Sequence, residues 1–263
     1  MRVSLIQLAA GTDVVANLEG AADLVRQTKA AEPDLVVLPE AVMHDFGDGE
    51  LPLGPVAQPV DGPFVAVLAE LAREAGATVV AGMFETSKDP GRPYNTLVAI
   101  GPDGDVRTTY RKAHLYDSFG YRESDRLLAG DAAPVVLPLG EVTLGLMTCY
   151  DLRFPEFSRT LVDRGADVLV VPAAWVRGPL KEDHWTTLLR ARAIENTAYV
   201  VASAQNGRRY CGCSMVVDPM GVVVTALGEQ TGTTAADLSV ERIAEVRRRN
   251  PSLANRRLGL REA

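Results

Sequence analysis

The 263-residue sequence predicts an α/β protein built as a four-layer α-β-β-α sandwich of two mixed sheets, the halves related by a pseudo-twofold internal repeat. Short Val-rich runs alternate with stretches whose apolar residues fall at helical spacing, the pattern of buried strands covered by helices. Asp34-Leu35-Val36-Val37-Leu38-Pro39 recurs as Asp167-Val168-Leu169-Val170-Val171-Pro172, and Thr78-Val79-Val80-Ala81-Gly82 recurs as Tyr199-Val200-Val201-Ala202-Ser203. Each second run is followed by a hairpin with a Pro/Gly turn. A strand-helix-strand-helix-hairpin order occurring twice gives two sheets, each covered by helices on one face and packed on its twin through the other.

Taken in order, residues 2–7 read as a strand, and Leu18, Ala22 and Val25 mark a helix that Pro33 closes. Residues 34–38 form a short buried strand that delivers Pro39-Glu40 at its carboxyl end. Asp61-Gly62-Pro63 opens a second helix with Phe64, Val67, Leu68, Leu71 and Ala75 as its apolar stripe, and Gly76 ends it. Residues 78–84 are a strand, and 94–100 and 106–111 a hairpin around Gly101-Pro102-Asp103-Gly104, from which Lys112 emerges. The polar stretch 113–130 is expected to be a loop over the mouth of a site. Residues 135–139 and 142–147 form a hairpin around Gly140 leading into Cys149, followed by a helix from Pro155 to Gly165. A strand at 167–171 reaches Pro172-Ala173-Ala174-Trp175, and Asp183 is expected to cap a helix through Trp185, Leu188, Leu189, Arg192 and Ile194. Strands at 199–204, 214–217 and 222–227 follow, the last two joined by Asp218-Pro219-Met220-Gly221. A strand ending at Leu238 leads through residues 240–249 to a basic tail from Pro251 to near Arg261.

No linker or charge block interrupts the chain, so one domain over residues 1–263 is expected. Hydrophobic and charged contents of 47% and 23% are ordinary for a globular chain. A net charge of -7 argues against nucleic acid or an anionic membrane as partner, though local arginines still allow an anionic substrate. Three cysteines do not suit a disulfide framework, the N-terminus lacks the apolar core of a signal peptide, and no apolar run approaches the ~20 residues that span a bilayer. A cytoplasmic protein is the expectation.

The chemistry gathers around Met147-Thr148-Cys149-Tyr150-Asp151-Leu152-Arg153-Phe154-Pro155-Glu156. A buried strand ends on a cysteine just before a helix that Pro155 can start, and such an elbow aims backbone N–H groups at one point. Glu40, Lys112 and Cys149 each follow an apolar strand. Together they make a complete set: a carboxylate to take the thiol proton, a thiol to attack a carbonyl, and an ammonium to hold charge developing on oxygen. A papain-like arrangement would need His44, His114 or His184 with an Asn partner, and none is evident. Cys211-Gly212-Cys213 has the wrong spacing for zinc, and no Gly-rich nucleotide loop follows a strand. A non-hydrolytic binding or redox-sensing protein using Cys149 as a reactive thiol is the alternative from a different class.

Pro39-Glu40, Tyr110-Arg111-Lys112-Ala113-His114-Leu115 and Cys149-Tyr150-Asp151-Leu152-Arg153-Phe154-Pro155-Glu156 resemble the three signature blocks of the nitrilase superfamily of carbon-nitrogen hydrolases. Within it the chain resembles the Nit amidase branch, which includes deaminated glutathione amidase and omega-amidase. The resemblance implies no metal or organic cofactor, a likeness to homodimers that assemble further, and a small-molecule amide as substrate. It also implies roles: Glu40 as general base, Lys112 stabilising the tetrahedral intermediate, Cys149 forming a thioester, and Glu123 orienting Lys112 and the amide. The Tyr150 backbone N–H completes the oxyanion hole with Lys112. Arg153 takes the position where related carbamoyl-amino-acid hydrolases bind a substrate carboxylate, or it pairs internally with Asp151 or Glu156, and Trp175 is a pocket wall or a core aromatic. The implied reaction is hydrolysis of a small linear, carboxylate-bearing amide to acid and ammonia, with a nitrilase or an N-carbamoyl amide hydrolase as rivals on the same triad. Two segments depart from the branch: Gly178-Pro179-Leu180-Lys181-Glu182-Asp183-His184-Trp185 is longer and charged where many members have Gly-Pro-Ala-His-Trp, and the loop at 116–121 is shorter than in the animal enzymes.

Overall fold

A strand made of Val, Leu and Ala on both faces must be covered on both, and the two halves of this chain cover each other on one side and use helices on the other. The computed structural model describes residues 1–47, 49 and 51–259, so the end of the predicted basic tail, through Arg261, lies outside the described residues. The first half runs Arg2–Gln7 (β1), Val14–Thr28 (α1), Leu35–Val37 (β2), Pro63–Ala75 (α2), Thr78–Glu85 (β3), Tyr94–Ile100 (β4) and Val106–Arg111 (β5). A small hairpin, Asp117–Ser118 (β6) and Tyr121–Arg122 (β7), sits within the following loop. The second half runs Val135–Leu139 (β8), Val142–Leu146 (β9), a 3-10 turn at Cys149–Arg153, Pro155–Asp163 (α3), Val168–Ala173 (β10), Lys181–Asn196 (α4), Tyr199–Ala204 (β11), Met215–Val217 (β12) and Val223–Ala226 (β13). Gly232–Asp237 (β14) and Val240–Arg249 (α5) follow.

The predicted repeat is present in the pairing. One six-stranded sheet has the order β14-β1-β2-β3-β4-β5 and the other β8-β9-β10-β11-β12-β13. In each, an antiparallel outer strand is followed by three parallel strands and then two antiparallel ones. Even a register shift recurs, between Ala99 and Ile100 in one half and between Val216 and Val217 in the other. Each half crosses over twice through a helix, which parallel neighbours require.

Side-chain alternation divides the core into layers. On β2, Leu35 and Val37 join the core shared with the second sheet, whereas Val36 packs outward with Val25 of α1 and Leu68 of α2. At about 1.5–3 kcal/mol per buried aliphatic side chain, this period-two division fixes the register of the central strands. Two expectations need correction. Helix α4 begins at Lys181, after Leu180 in the left-handed region (φ 58°), so Asp183 is not the cap but stands in the first turn, where a carboxylate still complements the helix dipole. On α2 the buried face centres on Phe64, Leu68, Leu71 and Ala72, which leaves Val67 at its edge, 38% exposed.

Candidate active site

Glu40, Lys112 and Cys149 lie just beyond the carboxyl ends of β2, β5 and β9, and the face-to-face sheets bring those ends to one place. After Leu38 the chain leaves the sheet, and Ala41 adopts a left-handed conformation (φ 52°). The backbone of Glu40 and Ala41 presses so closely on Gly82 of β3 that a Cβ there would lie 2.7 Å from Glu40 Cα and 2.5 Å from Ala41 N. Glycine at 82 is what lets the carboxylate descend into the site. Glu40 is 1% exposed; Oε1 accepts from Lys112 Nζ (2.9 Å) and Asn95 Nδ2 (2.7 Å), and Oε2 accepts from the Ala174 N–H (2.6 Å). Gln205, immediately after β11, donates to the Glu40 carbonyl at 2.8 Å.

Lys112 is 2% exposed and stands between two carboxylates, donating to Glu40 at 2.9 Å and to both oxygens of Glu123 at 3.1 and 2.9 Å. Burial pulls its pKa down, but the charges of Glu123 and Glu40 outweigh that and hold the ammonium well above the ordinary lysine value. Glu123 opens a 3-10 turn after β7 and is 1% exposed rather than a surface charge. Its Oε2 also accepts from the Tyr116 N–H at 2.5 Å. Burial raises the Glu123 pKa, Lys112 opposes that, and Glu40 adds to it.

Cys149 begins the 3-10 turn with φ 45°, a conformation a non-glycine residue holds only when its surroundings impose it. The surroundings here are Asp151, wholly buried, which accepts from the Thr148 N–H (2.8 Å), the Tyr110 hydroxyl (2.7 Å) and the His114 N–H (3.1 Å). His114 Nδ1 is also 2.7 Å from Asp151 Oδ1, and its ring stacks on Phe154. Tyr110 and His114 flank Lys112, so one carboxylate ties the lysine segment to the cysteine elbow. Cys149 is 8% exposed. Burial, then the charge of Glu40, push its thiol pKa well up, with Lys112 opposing. Tyr150 is the second residue of the turn, where a backbone N–H has no partner within the turn.

Glu40, Lys112, Glu123, Cys149 and Tyr150 line a cavity of about 710 Å³. Trp175 forms part of its wall, 2% exposed, with its indole N–H donating to the Lys181 carbonyl at 2.7 Å. Arg153 forms an ion pair with neither Asp151 nor Glu156 among the described residues; its guanidinium lies 4.9 Å from the Trp175 ring centroid and 3.4 Å from His184 Nδ1. The cations that line the cavity are Lys112, Lys181, Arg177, Arg208 and Arg209, of which Lys112, Arg177 and Arg209 are paired with carboxylates.

The carbon-nitrogen hydrolase profile matches residues 2–248. The chain belongs to the carbon-nitrogen hydrolases. This hydrolase is 41% identical over 242 residues to the deaminated glutathione amidase of Escherichia coli O157:H7, covering 92% of this chain and 91% of that one. Its fold matches XC1258 from Xanthomonas campestris, a CN-hydrolase superfamily protein with an arsenic adduct in the active site, with a TM-score of 0.89 at 30% identity over 100% and 99% of the two chains. It also matches a mutant of the amidase from Nesterenkonia sp. AN1 that shows covalent addition of the acetamide moiety of fluoroacetamide at the active-site cysteine, with a TM-score of 0.82 at 27% identity over 98% and 94%. The chain is thus a nitrilase-superfamily hydrolase acting on carbon-nitrogen bonds, with the α-β-β-α sandwich its sequence predicts.

The structure of this hydrolase also brings in residues that the strand-end pattern did not single out. Asn95, on β4, donates to both Glu40 (2.7 Å) and Glu123 (3.3 Å). Its signal was a polar side chain at the start of a strand whose second half, Leu97 to Ile100, is wholly apolar. Gln205 follows an apolar strand just as Glu40 does, so the same rule could have found it. Among the described residues no group of three or more His, Cys, Asp or Glu side chains is arranged to hold a metal ion, and no helix is long and apolar enough to cross a membrane.

Proposed function

We propose that this carbon-nitrogen hydrolase is a cysteine-dependent amidase that splits a small linear, carboxylate-bearing amide into an acid and ammonia through a thioester. The observation that carries the reading is the buried Glu40-Lys112-Glu123 cluster at the Cys149 elbow. Glu40 takes the Sγ proton as the sulfur attacks the amide carbon. The negative charge that develops on the carbonyl oxygen is held by Lys112 Nζ and the Tyr150 N–H. Glu40 then hands its proton to the departing nitrogen, ammonia leaves, and Cys149 carries the acyl group. A water molecule deprotonated by Glu40 attacks the thioester, and the acid departs with the thiol restored. Glu123 fixes Lys112 in place and faces the amide, so that Lys112 stays charged throughout.

The elevated thiol pKa supports hydrolysis over thiol sensing. A sensor needs a standing thiolate, whereas a thiol kept protonated by burial and Glu40 reacts only when a base removes its proton in step with attack. The carboxylate-bearing amide draws on the name of the Escherichia coli relative, a deaminated glutathione amidase, and on the basic wall of the cavity. The whole chain acting as one domain and pairing as a homodimer belong to the same proposal, and sedimentation as a single chain would remove the second.

Denaturing mass spectrometry of the protein mixed with omega-amides, together with ammonia detection, tests the reading. A transient acyl adduct on Cys149 with ammonia release is expected; neither from any amide would overturn it. Comparing a nitrile and an amide of the same acid separates an amidase from a nitrilase, and N-carbamoyl amino acids test the remaining rival.

A further inference from the structure

Lys181 is the first residue of α4, a 16-residue helix, and so sits at the positive end of the helix dipole. It is nonetheless 5% exposed and lines the cavity. Its ammonium donates to the Tyr116 hydroxyl at 3.0 Å and lies 4.3, 4.9 and 5.5 Å from the ring centroids of Phe119, Tyr116 and Trp175. Among the described residues it meets no carboxylate, whereas the other buried cations, Lys112 and Arg192, each do. Arg153 adds a second cation against the same surfaces, 4.9 Å from the Trp175 ring and 5.7 Å from that of Phe119. Its Nε is buried without a hydrogen-bond partner.

A buried ammonium, a like charge beside it and the unfavourable end of a helix all oppose this placement, and cation-aromatic contacts offset only part of that. Burial first, and Arg153 next, pull the pKa of Lys181 below the ordinary lysine value. Glu40 and Glu123, the carboxylates of the cavity, are engaged by Lys112, so what the arrangement lacks is an anion facing Lys181. Tyr116 measures how far that anion sits from the chemistry: its backbone N–H is on Glu123 and its hydroxyl on Lys181, so the two poles are one tyrosine apart.

We infer that Lys181, backed by Arg153, is the specificity-determining residue that holds the substrate's carboxylate in this chain. The carboxylate fills the position facing Lys181 while the amide carbon lies against Cys149, so the charge at one end fixes where the other end reacts. The inference rests on the amidase reading for the reaction, but the anion subsite can be measured without it.

The test uses wild type, Lys181→Met and Lys181→Arg, with succinate binding followed by calorimetry and ammonia release followed from succinamate and butyramide. Removing one charge-assisted hydrogen bond is expected to weaken succinate in Lys181→Met by about ten- to a hundredfold. The ratio of kcat/KM for succinamate over butyramide falls by a similar factor, mainly through KM, and Lys181→Arg recovers part of both. Succinate bound equally by wild type and a folded Lys181→Met, or not bound by wild type, would overturn the anchor. Ammonia released from neither these nor any other amide tried, while succinate still binds in a Lys181-dependent way, would instead remove the amidase reading and leave the anchor standing.

Discussion

Replacing Asp151 by asparagine probes how the two segments of the site are held together. The carboxylate gathers donors on both oxygens: the Thr148 N–H and the Tyr110 hydroxyl on Oδ2, the His114 N–H and His114 Nδ1 on Oδ1. An asparagine offers one carbonyl oxygen and one amino group. Turned one way, the amino group confronts the Thr148 N–H; turned the other, it confronts the His114 N–H. Tyr110 can rotate its hydroxyl and His114 can change tautomer, but a backbone N–H cannot become an acceptor. One buried donor is therefore stranded in either orientation, costing about 1–3 kcal/mol, and the hydrogen bonds that remain lose their charged acceptor, for a total of about 2–4 kcal/mol. For a chain of this size that is a fall in Tm of roughly 5–15 °C by calorimetry. Because Thr148 precedes Cys149 and His114 lies two residues past Lys112, a shift of about 1 Å at either end is expected to lower kcat on a productive amide by roughly a hundredfold. An Asp151→Asn protein that melts within about 2 °C of wild type and keeps kcat within about twofold would refute the tether, by the same measures.

Glu40→Gln is expected to lower kcat by roughly a hundred- to ten-thousandfold with KM little changed, as loss of a general base requires, in the ammonia-release assay. The raised thiol pKa places the gain of thiolate above the ordinary range near 8.5, so the absorbance at ~240 nm of wild type minus Cys149→Ala should stay flat through neutral pH, and its rise should move to lower pH in Glu40→Gln because that carboxylate's charge is gone. Gly82→Ala drives a methyl group against Glu40 Cα and Ala41 N; a stability loss of about 1–3 kcal/mol by denaturant titration is expected, with activity falling further than stability alone explains.

Glu40, Lys112 and Cys149 stood out in the sequence because each lies just past a predicted strand; the strands before Glu40 and Cys149 are apolar, whereas the one before Lys112, Val106 to Arg111, is mostly polar, so that residue was the least marked of the three. The duplicated order of strands and helices was readable too, since Asp34 to Pro39 and Asp167 to Pro172 are near copies. Glu123 was reachable only through family resemblance: it stands in a loop of mixed composition, and nothing local marks it as 1% exposed. Asn95 and Asp151 act across long sequence separations, and a single chain read linearly carries no record of which donors such groups will meet. Lys181 was not singled out in the sequence, where its segment was read as preceding a helix capped by Asp183. Beginning α4 at Lys181 places that ammonium in the cavity lining.

Glu40, Asn95 and Lys112 come from one sheet's half of the chain, whereas Cys149, Ala174 and Gln205 come from the other. The candidate active site is therefore a seam, and each half holds only part of it. During refolding, regained turnover would time the closing of that seam rather than the formation of either sheet. Two separately made halves that restored turnover on mixing would have had to recreate the join itself.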